Sequence, residues 1–254
     1  MSAGLLRRVG LPLAVFAAGV VVWEAAVALL GIQQIVLPRP SGVAVTFVQT
    51  AGPIAHHARY TLMTTLIGFG VAVGLGLLLG FAIGAFSVCH DALYPLLVGF
   101  NSIPKAAVVP LLVMWFGIGT VPAVLTAFLL AFFPVAVNVA LGLATMEAEL
   151  RDVLRALGAS RWQIFRKVGV PRTMPLFFAS LKVAVSSAFV GSVISETVAS
   201  NAGIGYLMAV AASDFNTRLA FCGLLVLAVM GVALYGLFAA IERRLTGWAY
   251  AESP

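Results

Sequence analysis

The sequence predicts an all-α integral membrane protein, a single domain over residues 1–254 that crosses the bilayer six times. Of the 254 residues, 62% are hydrophobic and 9% are charged, and the mean hydropathy is +1.09. Soluble domains carry about 25% charged residues, because their surface faces water. The chain also contains six apolar segments of about the 20 residues needed to cross a bilayer. These two observations exclude a soluble enzyme.

The six spans follow from runs of apolar residues. The second, fourth and sixth contain no charged residue, whereas Pro104, Lys105 and Pro110 interrupt the third. A proline inside a helix removes a backbone hydrogen bond, so the third span is the least regular. The predicted spans cover residues 11–31, 61–86, 92–116, 121–145, 173–198 and 219–241.

Lysine and arginine predict the orientation, because cytoplasmic loops are enriched in them. With the N-terminus inside, the outer loops hold Arg39, Arg59 and Arg218. The cytoplasmic side then holds Arg7, Arg8, Arg151, Arg155, Arg161, Arg166, Lys167, Arg172, Arg243 and Arg244. We therefore expect both termini in the cytoplasm. Basic loops explain the net charge of +6 without a nucleic-acid partner. The apolar run after Arg8 is longer than the core of a cleaved signal peptide, so we expect it to be the first span.

The second span carries a stripe of glycines. Gly76, Gly80 and Gly84 are spaced by four residues, which places them on one face of a helix. Small residues allow another helix to approach closely inside a membrane. That helix belongs either to the same chain or to a second subunit, and we prefer packing within the chain.

Residues 146–172, between the fourth and fifth spans, form the most hydrophilic segment. Their first part has apolar residues at helical spacing, and Gly158 is expected to end this helix because glycine adopts positive φ. This stripe consists of Leu150, Val153, Leu154 and Leu157.

A second short helix is expected to follow. Ser160 and Gln163 have the spacing of a capping box, which satisfies two backbone N–H groups at a helix start. Pro171 and Pro175 mark the turn into the fifth span. Taken alone, the two helices could be interfacial elements that lie on the bilayer.

The wording of this segment resembles a known family. From Asp152 the chain reads DVLRALGASRWQIFRKVGVP, similar to the E-A-A-x3-G-x9-I-x-L-P loop of binding-protein-dependent ABC importer permeases. Asp152 stands for the glutamate, Gly158 and Pro171 match, and valine and leucine replace the two alanines. LPRPSGV, IPKAAVVPLLVMWFGIG, FFPVAVN and AGIGYLM resemble further segments of the nitrate, sulfonate and taurine branch.

The resemblance implies a type I ABC importer permease fold in a bacterial inner membrane. Its coupling helices, between spans 4 and 5, would dock on a cytoplasmic ABC ATPase dimer. A second copy of the chain would complete the pore, and a periplasmic or lipid-anchored solute-binding protein would deliver the cargo. The residues assigned to ATPase coupling are Asp152, Arg155, Leu157, Gly158, Ala159, Ser160, Trp162, Phe165 and Pro171.

The branch implies a small anion as cargo, such as a sulfonate, taurine or nitrate. Related branches carry bicarbonate or a thiamine-pyrimidine precursor. The chain's lysines, Lys105, Lys167 and Lys182, do not stand in a Walker A sequence, so ATP and Mg would be used by the partner and no cofactor by this chain. An ion-gradient-driven transporter is the alternative, although acids within the spans are few.

Polar residues within spans are candidates for the translocation path, because ionisable groups are costly there. Lys105 suits an anionic cargo or else snorkels to the interface, and snorkelling is preferred for Lys182. Glu24 is expected to have a structural partner. We expect neither a catalytic residue nor a metal site, because no ligand set surrounds His56 and His57. The path candidates are Asn101, Lys105, Asn138, Ser187 and Glu196.

Overall fold

The computed structural model describes residues 3–144 and 153–247, and all regular elements among them are helices. The fold class predicted from the sequence is therefore confirmed. The helices are α1 (Ala3–Leu29), α2 (Pro40–Gln49), α3 (Ala51–Ala85), α4 (Ser87–Asn101), α5 (Lys105–Phe116), α6 (Thr120–Ala144), α7 (Arg161–Ile164), α8 (Val170–Ala199), α9 (Ile204–Ser213) and α10 (Thr217–Thr246).

Within the described residues, five helical stretches are individually long and apolar enough to cross a membrane. The third predicted span, at 92–116, is divided between α4 and α5, which meet at an angle of 91°. Pro104 is the reason, because it disfavours helical geometry in the residue before it and donates no N–H. The expectation of one continuous third span is thus corrected to a broken pair.

The core is formed by α3, α6 and α8. A Cβ atom added at Gly80 would lie 2.5 Å from the backbone oxygen of Ala136, and one at Gly84 would lie 2.8 Å from Cβ of Leu143. The glycine stripe of α3 therefore packs against α6, as preferred from the sequence. On another face of α6, a Cβ atom added at Gly142 would lie 2.6 Å from the methyl carbon of Thr173 at the start of α8.

The segment before the fifth span differs from the prediction in one respect. Instead of a short helix followed by a turn, α7 continues through a π-helical turn, Phe165–Gly169, directly into α8. The π turn ends two residues before Pro171, whose missing N–H cannot close an α-helical bond. The proline therefore locally widens the helix and does not end it.

The peripheral helices surround this core. α10 packs against α8, α9 and α2, and α1 touches the rest of the described chain mainly through α2. Most of α1 is exposed, as a lipid-facing helix can be.

Candidate functional site

The turn at Gly158 is the best-defined feature of the hydrophilic segment. Residues 153–156 are helical, and Gly158 has φ +84°. The N–H of Ala159 donates to the carbonyl of Leu154 at 3.0 Å, and the N–H of Gly158 donates to the carbonyl of Arg155 at 2.9 Å. These two bonds are the paired contacts of a Schellman motif, which ends a helix at a left-handed residue.

The predicted capping box is present on the other side of the turn. The backbone N–H of Ser160 donates to Oε1 of Gln163 at 2.8 Å, and the N–H of Gln163 donates to Oγ of Ser160 at 3.2 Å. A C-terminal motif and an N-terminal cap are thus separated by one residue, Ala159. Backbone hydrogen bonds on one side and side-chain caps on the other fix the angle between the two helical pieces.

Apolar side chains flank this turn on the surface. Leu157 is 79% exposed and Trp162 is 66% exposed, and Val153 is exposed as well. Large apolar groups on a polar segment are typical of an interaction site. We refer to residues 153–172 as the coupling segment.

The remaining coupling residues lie at its two ends. Pro171 is half-buried in the first turn of α8, and Arg155 is exposed. Asp152 lies outside the described residues, as does the side chain of Phe165. The assignment of these residues to ATPase docking stays a prediction.

A buried polar cluster joins α3, α8 and the start of α9, at the end of α8 that lies away from the coupling segment. Glu196 is 1% exposed, and its carboxylate accepts from Oγ1 of Thr61 at 2.8 Å, Oγ1 of Thr64 at 3.4 Å and the N–H of Gly205 at 3.1 Å. Ser192 donates to Oγ1 of Thr64 at 2.8 Å. Several donors satisfy this buried carboxylate, as burial of a charge requires.

The turn between α8 and α9 is built around the same carboxylate. Gly203 has φ +103°, and a Cβ atom there would lie 2.2 Å from Cδ of Glu196. The N–H of Gly203 donates to Nδ1 of His57 at 3.1 Å, and the N–H of Ile204 donates to Oγ1 of Thr61 at 2.9 Å. Glu196, predicted as a path residue, therefore anchors this turn, and His57 contributes a hydrogen bond to it.

Sequence reasoning missed the threonines of this cluster. Thr61 and Thr64 lie three residues apart at the start of the predicted second span, so helical periodicity puts them on one face. That spacing was a usable signal, although it does not identify the partner helix.

The structure brings two of the predicted path residues together. Nζ of Lys105 donates to Oδ1 of Asn101 at 2.9 Å and to its carbonyl oxygen. The ammonium therefore caps the C-terminal end of α4, where the helix dipole favours a positive charge. Asn138 donates to the carbonyl of Pro134 in its own helix at 2.8 Å, and Ser187 is half-buried on α8.

Two further ionisable residues have partners on neighbouring helices. The carboxylate of Glu24 accepts from the N–H and the hydroxyl of Ser41 at 3.0 and 2.9 Å, which agrees with the structural pairing expected for it. Lys182 forms an ion pair with Glu242 of α10. For Lys182 the sequence favoured snorkelling, whereas the structure shows an ion pair. The sequence did not reveal this pair because Glu242 lies just beyond the predicted sixth span.

The comparison with protein families settles what kind of protein has this arrangement. The model of the binding-protein-dependent transport system inner membrane component matches residues 72–247. The chain belongs to this family. The family resemblance found in the sequence is thereby confirmed, and this member of the family is an ABC importer permease subunit, a transport component and not an enzyme.

Curated relatives match this permease over nearly its whole length. The riboflavin transport system permease protein of Chloroflexus aurantiacus is 35% identical over 90% of this chain and 86% of its own. The formylaminopyrimidine transport permease of Halalkalibacterium halodurans is 29% identical over 90% and 91%, and the taurine transport system permease of Escherichia coli is 28% identical over 96% and 91%. These relatives are thus named for different cargoes.

A solved structure supports the fold. A chain of the MetNI methionine ABC transporter in an inward-facing conformation matches with a TM-score of 0.64 and 20% identity, over 74% of this permease and 94% of that chain. The type I ABC importer permease fold expected from the sequence is therefore confirmed.

Proposed function

We propose that two copies of this permease form the pore of an ATP-driven importer in a bacterial inner membrane, with both termini in the cytoplasm. A cytoplasmic ATPase dimer binds the coupling segments, and a periplasmic or lipid-anchored solute-binding protein delivers the cargo. The observation that carries this proposal is the turn at Gly158, where a Schellman motif and a capping box present exposed Leu157 and Trp162.

The chemistry of the coupling segment suits a groove on another protein. Trp is enriched among the residues that dominate binding energy at interfaces, and its burial removes a large apolar area from water. The turn between the helical pieces is held by backbone bonds, so little conformational entropy is lost when it docks. Closure of the ATPases would move this segment and, through α7 and the π turn, the inner end of α8.

Docking is tested by charge substitutions at the two exposed apolar residues. Leu157→Asp and Trp162→Asp should each prevent the ATPase encoded with this permease from co-purifying with the tagged chain, and should abolish uptake. Leu157→Met and Trp162→Phe are the matched controls, because they keep an apolar surface, and they should retain both. Equal ATPase recovery from the aspartate variants and the controls would refute the docking assignment.

The class of cargo is the finer part of the proposal. The family branch favours a small anion such as a sulfonate, taurine or nitrate, and relatives are named for riboflavin and formylaminopyrimidine. The anion interpretation depended partly on Lys105, whose ammonium is engaged by Asn101. We therefore propose a small solute, which is either one of these anions or a flat heterocycle.

Cargo and energy source can be tested in the same cells. Uptake of labelled taurine and labelled riboflavin is compared in a strain that carries the whole transport system and in one lacking this chain. Chain-dependent uptake should stop when ATP is depleted and persist when the ion gradient is collapsed. The opposite response would favour the ion-gradient-driven alternative.

A further inference from the structure

An apolar groove lies between α3, α6 and α8 at the end of the core that carries the coupling segment. Its volume is about 580 Å³. The walls of the groove are residues of α3 and α8, and its floor is formed by residues of α6. The lining residues are Gly74, Leu77, Leu78, Phe81, Val139, Leu143, Val170, Thr173, Met174, Phe177 and Phe178.

The groove lies at the end of α3 and α8 that is remote from the Glu196 cluster. The Glu196 cluster joins their outer ends, and no comparable polar contact between them is present in the described part of their inner halves. The one polar side chain of the lining, Thr173, donates to the carbonyl of Gly169 at 2.8 Å. The groove therefore offers no unsatisfied hydrogen-bonding group to a ligand in its interior.

Its length along α3 is short enough to fit within one layer of a bilayer. From Gly74 to Phe81 a helix rises by about 10 Å, at roughly 1.5 Å per residue. Half of the hydrocarbon core of a membrane measures about 15 Å. Leu78 on its rim is 70% exposed, so the groove opens sideways and not only at its end.

Positive charge lies at the cytoplasmic mouth. Arg166 and Lys167, both exposed, belong to the π-helical turn and precede Val170 of the groove wall by three to four residues, about one helical turn. None of the lining residues is charged. A basic mouth on an apolar groove at this depth has the charge and shape of an anionic lipid site.

We propose that this groove binds one anionic phospholipid of the cytoplasmic leaflet. Its acyl chain lies along α3 and α8, and its phosphate contacts Arg166 and Lys167. The acyl chain gains little by leaving other lipids, because both environments are apolar. The preference for an anionic over a neutral lipid therefore comes from the headgroup. Each basic side chain near the anionic headgroup contributes about fivefold in affinity.

The experiment uses the full-length chain, purified in a neutral detergent and delipidated. Native mass spectrometry and thermal unfolding are followed with dioleoyl phosphatidylglycerol, with dioleoyl phosphatidylcholine and with inorganic phosphate. We expect phosphatidylglycerol to bind about 25-fold more tightly than phosphatidylcholine, at about fivefold for each of the two basic side chains, and phosphate alone to have no effect. Arg166→Gln combined with Lys167→Gln should reduce the preference by about 25-fold, to near equality.

Substitution inside the groove separates this site from general lipid contact. Gly74→Leu places a side chain in the groove, where a Cβ atom meets nothing within 4 Å, and should lower phosphatidylglycerol binding at least tenfold. Gly70→Leu is the matched control, since its Cβ also meets nothing within 4 Å and it does not line the groove. If Gly74→Leu fails to fold, Leu78→Trp replaces it.

Three results would overturn the proposal. The first is equal binding of the two lipids by the wild-type chain, and the second is unchanged phosphatidylglycerol binding after groove filling. The third is a shift from dimer to monomer in Gly74→Leu with lipid binding retained, which would make the groove a contact between two copies.

Discussion

The left-handed backbone at Gly158 leads to a prediction that separates conformation from side-chain contact. At φ +84° an L-residue other than glycine is strained by roughly 1–2 kcal/mol, and a β-branched residue by more, whereas asparagine tolerates this region. A Cβ atom at this position meets nothing within 4 Å in the chain. Substitutions here therefore change the backbone preference without a clash inside the permease.

Gly158→Val should reduce uptake by at least fivefold, because about 1.4 kcal/mol corresponds to a tenfold change in the population of the native turn. Gly158→Asn, which adds a side chain of similar size, should retain most of the activity. Uptake of the cargo, abundance of the chain in membranes and recovery of the ATPase are measured for both variants.

Two outcomes would refute this reasoning. Wild-type uptake by Gly158→Val would show that the turn does not require its left-handed residue. Equal loss in both variants would show that any side chain at this position obstructs the partner, so that the backbone conformation is not the cause.

Three further predictions concern the core and the Glu196 cluster, and each is checked by thermal unfolding in detergent and by yield from membranes. Gly203→Ala should destabilise the permease more than Gly117→Ala does, because its Cβ would displace the carboxylate of Glu196 from its hydrogen bonds. Gly117→Ala, with φ +77° and open space, should cost only about 1–3 kcal/mol. Equal stability of the two variants would argue against the close contact. Gly80→Ala should destabilise the permease by about 1–3 kcal/mol through overpacking against α6. Gly70→Ala, the control, should be neutral or slightly stabilising. A larger loss of stability in Gly70→Ala than in Gly80→Ala would contradict the packing of the glycine stripe. Glu196→Ala should lower the stability by about 1–3 kcal/mol for each donor left buried and unpaired. Glu196→Gln should lower it less, because an amide oxygen still accepts a hydrogen bond. An equal loss of stability in both variants would mean that the charge, and not hydrogen bonding, stabilises the turn.

The sequence predicted the features that depend on neighbouring residues. The Gly158 turn and the capping box of Ser160 and Gln163 each arise within a few residues, so spacing is enough to identify them. The glycine stripe was predicted as a packing face for the same reason, because helical periodicity is local.

Features that depend on distant pairs could not be obtained in this way. Thr61 and Glu196 are separated by 135 residues, and no sequence pattern around either residue indicates that the two are in contact. The ion pair of Lys182 with Glu242 is similar. The 91° bend between α4 and α5 was signalled by the prolines, but a proline only shows that a helix is interrupted and not the direction in which the chain continues.

The continuity of α7, the π turn and α8 connects the two ends of the permease. The coupling segment enters α8 without an intervening loop, and the far end of α8 is held to α3 and α9 by the hydrogen bonds of Glu196. The end of α8 next to the π turn is packed mainly by apolar contacts: it forms one wall of the groove, and Thr173 packs closely against Gly142 of α6. Further along the helix, Lys182 is ion-paired with Glu242 of α10, and buried hydrogen bonds hold the end at Glu196. A displacement of Trp162 would therefore enter α8 at the end that is packed by non-directional apolar contacts, before it reaches the part that polar contacts tie to other helices.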